Sequence, residues 1–134
     1  MKKIEKLYKQ AKATMENAYA PYSNHPVGSA LTTTAGKVFT GCNVETANYK
    51  GTCAEAGAIA SMIAAGEKEI KEIAIVGPGD HLCSPCGDCR QRIREFSDPE
   101  NTLVHVFTHS GKLLKTYTVE QLLPDSFGPE NLNL

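Results

Sequence analysis

The chain has 134 residues, 41% of them hydrophobic and 22% charged. That composition excludes the disordered and fibrous classes and suggests a single domain over residues 1–134. Fourteen Lys and Arg against fifteen Asp and Glu leave a net charge of −1, which gives no electrostatic case for a polynucleotide or an anionic membrane as partner. No apolar run approaches the roughly 20 residues of a membrane span. The opening Met1-Lys2-Lys3-Ile4-Glu5-Lys6 has no apolar stretch behind it of the kind a secretory signal needs, so a cytoplasmic protein is expected.

In the first eighteen residues, Ile4, Leu7, Ala11, Met15 and Ala18 recur at spacings of three and four. This predicts an amphipathic helix, stopped by Pro21. Its lysines, Lys2, Lys3, Lys6, Lys9 and Lys12, read as a solvated helix face rather than a phosphate-binding strip. Residues 28–34 and 37–44 read as two strands joined by a turn at Ala35-Gly36. In the second strand, Phe39, Gly41, Asn43 and Glu45 share a face, so Asn43 and Glu45 point the same way at its end, where open α/β sheets bind ligands. On spacing alone, a loop-closing Asn and a solvated Glu explain the pair slightly better.

Residues 53–65 form an Ala- and Ile-rich helix closed by Gly66. A β-branched run at 72–77 follows, then a helix over 86–96, a strand over 102–108 and a weaker edge strand over 112–118. Strands alternating with helices indicate an α/β domain layered around one sheet.

The five cysteines are Cys42, Cys53, Cys83, Cys86 and Cys89. An odd number without a secretory signal argues for metal or catalytic work rather than a disulfide framework. In Ser84-Pro85-Cys86-Gly87-Asp88-Cys89, Ser84 is a suitable N-cap and Pro85 suits the first helical position. Cys86 and Cys89 then share one face of the first turn, where the helix dipole favours thiolates; a redox pair is the alternative. Thr52-Cys53-Ala54-Glu55 also reads as a helix start, and a capping box between Thr52 and Glu55 would account for it alone. Together, two helix starts carrying thiolates can converge on one ion, leaving zinc's fourth tetrahedral position open. A ligand two residues before a non-ligating Glu, followed by Pro-Cys-x-x-Cys, is the pattern of zinc deaminases.

The sequence resembles the cytidine deaminases of the small, homotetrameric type nearly end to end. The resemblance lies in Ala20-Pro21-Tyr22-Ser23, Pro26-Val27-Gly28, Gly41-Cys42-Asn43-Val44-Glu45, Cys53-Ala54-Glu55, Pro85-Cys86-Gly87, Cys89-Arg90-Gln91 and Leu122-Leu123-Pro124 with Phe127. It implies a three-layer α/β/α sandwich around a mixed five-stranded sheet. It implies one zinc ion per subunit on Cys53, Cys86 and Cys89, with Glu55 as proton shuttle in the hydrolysis of a cytosine nucleoside for pyrimidine salvage. Asn43 and Glu45 would hold the ribose hydroxyls, and Tyr49 and Phe127 would reach an active site across a subunit interface of a homotetramer.

Three departures from the family pattern lie near the substrate. Ala56 stands where an Arg usually relieves the thiolates' negative charge, with Arg90 a candidate substitute. His25 stands at a base-contacting position usually held by Phe. The stretch 49–53 is one residue short. His25 and Ala56 motivate an alternative substrate, a modified cytosine nucleoside of the blasticidin type. A zinc-stabilised binding module is the alternative from another class. Cys83, ahead of the helix start, is expected to point away from the ion, Cys42 to lie in the core, and His81, His105 and His109 to be surface residues.

Overall fold

The computed structural model describes residues 2–132. Its elements in chain order are α1 (Lys3–Met15), β1 (Gly28–Thr33), β2 (Val38–Cys42), α2 (Ala54–Ala64), β3 (Ile70–Val76), α3 (Gly87–Glu95), β4 (Leu103–Phe107), β5 (Leu113–Thr118), α4 (Val119–Leu122) and a final 3-10 turn, Pro129–Leu132. The strands form one sheet of order β2-β1-β3-β4-β5. Only β3 and β4 run parallel; the other neighbours are antiparallel.

Strand alternation divides the core in two. Leu31, Ile73, Ile75 and Val104 face one side, where they meet Ala58, Ile59 and Met62 of α2 and Ile93 of α3. Ala30, Ala74, Val76 and Phe107 face the other side and receive Leu7, Ala11 and Met15 of α1. The sheet is therefore covered on both faces, the layered mixed sheet the resemblance implied. Small residues let the helices approach closely. A Cβ on Gly28 would lie 2.0 Å from the Ala11 carbonyl oxygen, and one on Gly41 would lie 2.3 Å from that of Ala54. Gly36, at φ +86°, makes the β1–β2 turn.

Several boundaries differ from expectation for local reasons. The first helix ends at Met15, short of Pro21, because the chain leaves it to bridge: the Tyr19 N–H donates to the Asn43 carbonyl and the Glu45 N–H to that of Tyr19. Strand β2 stops at Cys42, and Val44 instead bridges Tyr19 and Thr52. Cys42, expected in the core, is half-buried. His105 is a correction: it is buried, not on the surface. It lies on β4, flanked by β3 and β5, with Nδ1 2.9 Å from Thr116 Oγ1 and Nε2 3.3 Å from Glu72 Oε1. His81 and His109 are exposed, as expected. Helix α4 begins in a capping box between Thr118 and Gln121, a Thr-x-x-Gln signature legible in the sequence.

Helix α2 rests directly on the backbone of Gly41, so Gly41→Ala is expected to destabilise the protein by about 1–3 kcal/mol through overpacking. Thermal unfolding measures this, and Gly57→Ala, whose nearest neighbour would be at 3.5 Å, is the control.

Candidate metal centre

Three segments leave the sheet at the same end. Gly28 pairs with Cys42 on one side and Val76 on the other. The residues before Gly28, after Cys42 and after Val76 therefore emerge side by side, bringing His25, Asn43 and the loop that carries Cys83 and Cys86 together. Helix α2 starts over this edge because its body is pinned on Gly41.

Each helix start differs by a residue or two from its expected cap, with a chemical consequence. The N-cap of α2 is Cys53, not Thr52, and that of α3 is Cys86, not Ser84; neither makes a side-chain cap hydrogen bond. Thr52 is occupied in a bridge with Val44, which removes the Thr52–Glu55 capping box. Ser84 Oγ and the Pro85 carbonyl instead accept from Arg90. Two thiols thus hold positions usually taken by an oxygen acceptor, at the positive ends of two helix dipoles. Cys89, in the first turn of α3, is buried.

The sulfurs of Cys53, Cys86 and Cys89 all lie within 4.8 Å of one another. Ligands at about 2.3 Å around a tetrahedral zinc stand about 3.8 Å apart, and Cys53 Sγ and Cys86 Sγ are 3.8 Å apart. Beside them Glu55 is only 4% exposed. Burial raises its carboxyl pKa, countered in part by its own N–H and by the Cys89 thiol. Burial likewise raises the Cys53 thiol, and raises Cys89 strongly, with the Glu55 charge adding to the latter. Several acids that oppose one another's ionisation in a small buried space make a donor set that fits a divalent cation, which would remove the conflict. Cys83 lies outside this sulfur cluster, as expected; its Sγ is 3.6 Å from His25 Nε2.

The cluster opens into a cavity of about 430 Å³ whose lining includes His25, Asn43, Glu45, Cys53, Glu55 and Cys86. Asn43 closes the loop as spacing suggested: its Oδ1 accepts from the Val27 N–H and its Nδ2 donates to the His25 carbonyl, both at 2.9 Å. Glu45 accepts from the Ser23 hydroxyl and from the Tyr22 and Ser23 N–H groups. The Ser23 hydroxyl is the main reason its pKa is lowered. Ser23 is a residue that sequence reasoning missed as part of the site; it also accepts from the His25 N–H. Spacing could not show it, because its partner lies 22 residues away.

Tyr49 and Phe127 are not brought to this cavity by their own chain. Tyr49 has φ +60°, is 86% exposed, and meets Tyr22 edge-on at 5.9 Å. Phe127 is 58% exposed, and its carbonyl accepts from Gln91 Nε2. Arg90 does not serve the thiolates in place of Ala56. Its guanidinium is spent on Pro85 O, Leu122 O and Ser84 Oγ. A separate cavity of about 510 Å³ lies beneath α1, lined in part by Lys3, Lys6, Lys9 and Lys71; Lys3, Lys6 and Lys9 are exposed.

Residues 1–105 match the family model described as the cytidine and deoxycytidylate deaminase zinc-binding region. A cytidine deaminase of Sporosarcina psychrophila is 39% identical over 97% of this chain and 95% of its own. One from Halalkalibacterium halodurans is 38% identical over 95% and 96%. The crystal structure of cytidine deaminase from Burkholderia pseudomallei superposes with a TM-score of 0.87 at 43% identity, covering 95% of this chain and all of that one.

The raised Glu55 pKa has a signed consequence for the metal-free protein. The unfolded carboxyl titrates near about 4.3. Above that pH the unfolded state releases a proton that the fold retains, so Glu55 costs stability progressively until the pH passes its folded pKa. Metal-free Glu55→Gln is therefore expected to be more stable than the unchanged protein at pH 7 and to differ little below about pH 4. Denaturant unfolding at the two pH values checks this.

Proposed function

The chain belongs to the cytidine and deoxycytidylate deaminase family, and on that premise we propose that it is a zinc-dependent hydrolytic deaminase. Its substrate is cytidine or deoxycytidine, and its products are uridine or deoxyuridine and ammonia. One observation carries the reading: three thiols gathered at two helix starts with a buried carboxyl beside them, where Cys53, Cys86 and Glu55 line a cavity of nucleoside size.

Cys53, Cys86 and Cys89 hold the zinc. Bound there, zinc supplies a Lewis acid that acidifies water towards neutral pH. Glu55 takes the proton of the attacking water and gives it to ring N3, which makes C4 more electrophilic. The water oxygen bonds to C4; Glu55, again a carboxylate, then takes the proton of the new C4 hydroxyl and delivers it to the amino nitrogen as the C4–N bond breaks, leaving C4 a carbonyl and releasing ammonia. Burial suits Glu55 to both directions of transfer by lifting its pKa towards the working pH.

Asn43 and Glu45 hold the ribose hydroxyls. Asn43 is fixed by two backbone hydrogen bonds, and Glu45 is kept ionised, chiefly by Ser23. His25 walls the base. The active unit is a homotetramer of single-domain subunits, in which Tyr49 and Phe127 complete the pocket of a neighbouring copy; the exposure of both rings supports this. Pyrimidine salvage in the cytoplasm is the setting this activity fits.

Ultraviolet-monitored deamination of cytidine by zinc-loaded protein tests the reading. Rapid conversion is expected, with Glu55→Ala slower by at least about 10²–10⁴-fold. A folded, zinc-containing protein that leaves cytidine unchanged would point to a modified cytosine nucleoside, with His25→Phe as the variant expected to restore cytidine turnover. Phe127→Ala is expected to raise KM several-fold at unchanged zinc content. Light scattering that finds only a monomer in the active protein would remove the shared pocket.

A further inference from the structure

His25 brings an imidazole to the wall of the cavity, and the residue is held at three points. Its N–H donates to Ser23 Oγ at 3.1 Å, its carbonyl accepts from Asn43 Nδ2 at 2.9 Å, and its ring Nε2 lies 3.6 Å from Cys83 Sγ. The first two contacts fix the backbone, and only the third reaches the ring. Among the described residues, Nδ1 has no hydrogen-bond partner.

Cys83 reaches that ring because β3 runs out into bare backbone. Gly77 follows the last residue of β3, Val76. A Cβ on Gly77 would stand 2.6 Å from Cys83 Cβ and 2.7 Å from its Sγ, so any larger residue there would displace the thiol. Cys83 lies outside the sulfur cluster, yet it lines the same cavity as Glu55 and His25. Burial pushes its pKa up, and the Glu55 charge adds to this, so Sγ keeps its proton at neutral pH. A thiol sulfur is a weak acceptor and a neutral imidazole nitrogen a better one. The S–H therefore donates to Nε2, and the ring's own proton sits on Nδ1.

We propose that Cys83 is a positioning residue for substrate selection: its thiol orients the His25 ring so that Nδ1–H stands as a hydrogen-bond donor to the base. The pocket then favours cytosine nucleosides that present an acceptor atom to this wall, a preference that a phenyl ring at the same position could not express. The inference rests on the nucleoside deaminase reading above and deepens it, adding a directed polar contact to packing against the base.

Steady-state kinetics with cytidine compare the zinc-loaded unchanged protein, Cys83→Ala, Cys83→Ser, His25→Phe and the double variant Cys83→Ala/His25→Phe. Cys83→Ala is expected to raise KM about three- to tenfold at nearly constant kcat, the effect of one hydrogen bond made equally in ground and transition states. Cys83→Ser keeps a hydroxyl donor and should lie closer to the unchanged protein than to Cys83→Ala. On the His25→Phe background, the same Cys83→Ala step should move KM by less than about twofold, because no ring nitrogen remains to orient. Nitrogen NMR of the histidine rings in the metal-free proteins reads the contact directly. The signals lost in His25→Phe should report the Nδ1–H tautomer, and Cys83→Ala should shift them towards Nε2–H.

An unchanged KM in Cys83→Ala, or an equal rise on the His25→Phe background, would overturn the proposal and assign Cys83 to packing. Ring signals indifferent to the loss of Cys83 would overturn it too. So would loss of zinc from Cys83→Ala, which would make the residue a ligand. A folded, zinc-loaded unchanged protein inactive on cytidine would bring down the assigned substrate alone, and the ring spectra would still decide whether Cys83 orients His25.

Discussion

Gathering ionisable thiols and a carboxyl into one buried spot is unfavourable unless something positive meets them there, and the fold is arranged around that constraint. Two helices are aimed so that their positive ends converge, and in each the capping position holds sulfur where oxygen is usual. The sheet makes the convergence possible. The close approach of α2 to Gly41 and the seating of α3 against the same core leave little freedom in where the sulfurs fall. Burial pushes the Glu55, Cys53 and Cys89 pKa values up together.

The substrate side is held by different means. Residues 22–25 form a short irregular stretch, with Asn24 at φ +55°, and irregular backbone needs partners for its polar groups. Glu45 and Asn43 supply them. The two readings of these residues, loop closure and ligand recognition, are therefore compatible. A side chain already fixed by the loop it closes presents its remaining hydrogen-bonding capacity in a defined direction.

Much of this was legible in the sequence because the signals were periodic or chemically unusual. The strands, the two main covering helices and the grouping of Cys53 with Cys86 and Cys89 follow from alternation, from apolar spacing and from cysteines at helix starts. What was not legible depended on contacts distant along the chain. Thr52 and Ser84 are good caps in isolation but are drawn away by Val44 and Arg90. His105 looks like a surface residue until β3 and β5 flank it and Glu72 and Thr116 meet its ring. Arg90 and Arg92 differ only by position in a row of basic residues, yet one locks the loop before α3 and the other pairs with Asp88 on its exposed side.

Helix α3 carries thiols at its start, and further along grips the C-terminal segment through Gln91 to the Phe127 carbonyl and through Arg94 to Ser126 and Glu130. A helix advances about 100° per residue. One residue inserted or deleted between Cys89 and Gln91 would leave both thiols in the first turn but swing Gln91, Ile93 and Arg94 about 100° from their partners in the tail and the core. The length of chain between the last thiol and these two anchors is thus as strictly fixed as the Cys-x-x-Cys spacing itself. Point substitutions on the outer face of α3 are compatible with the fold in a way that changes of length are not.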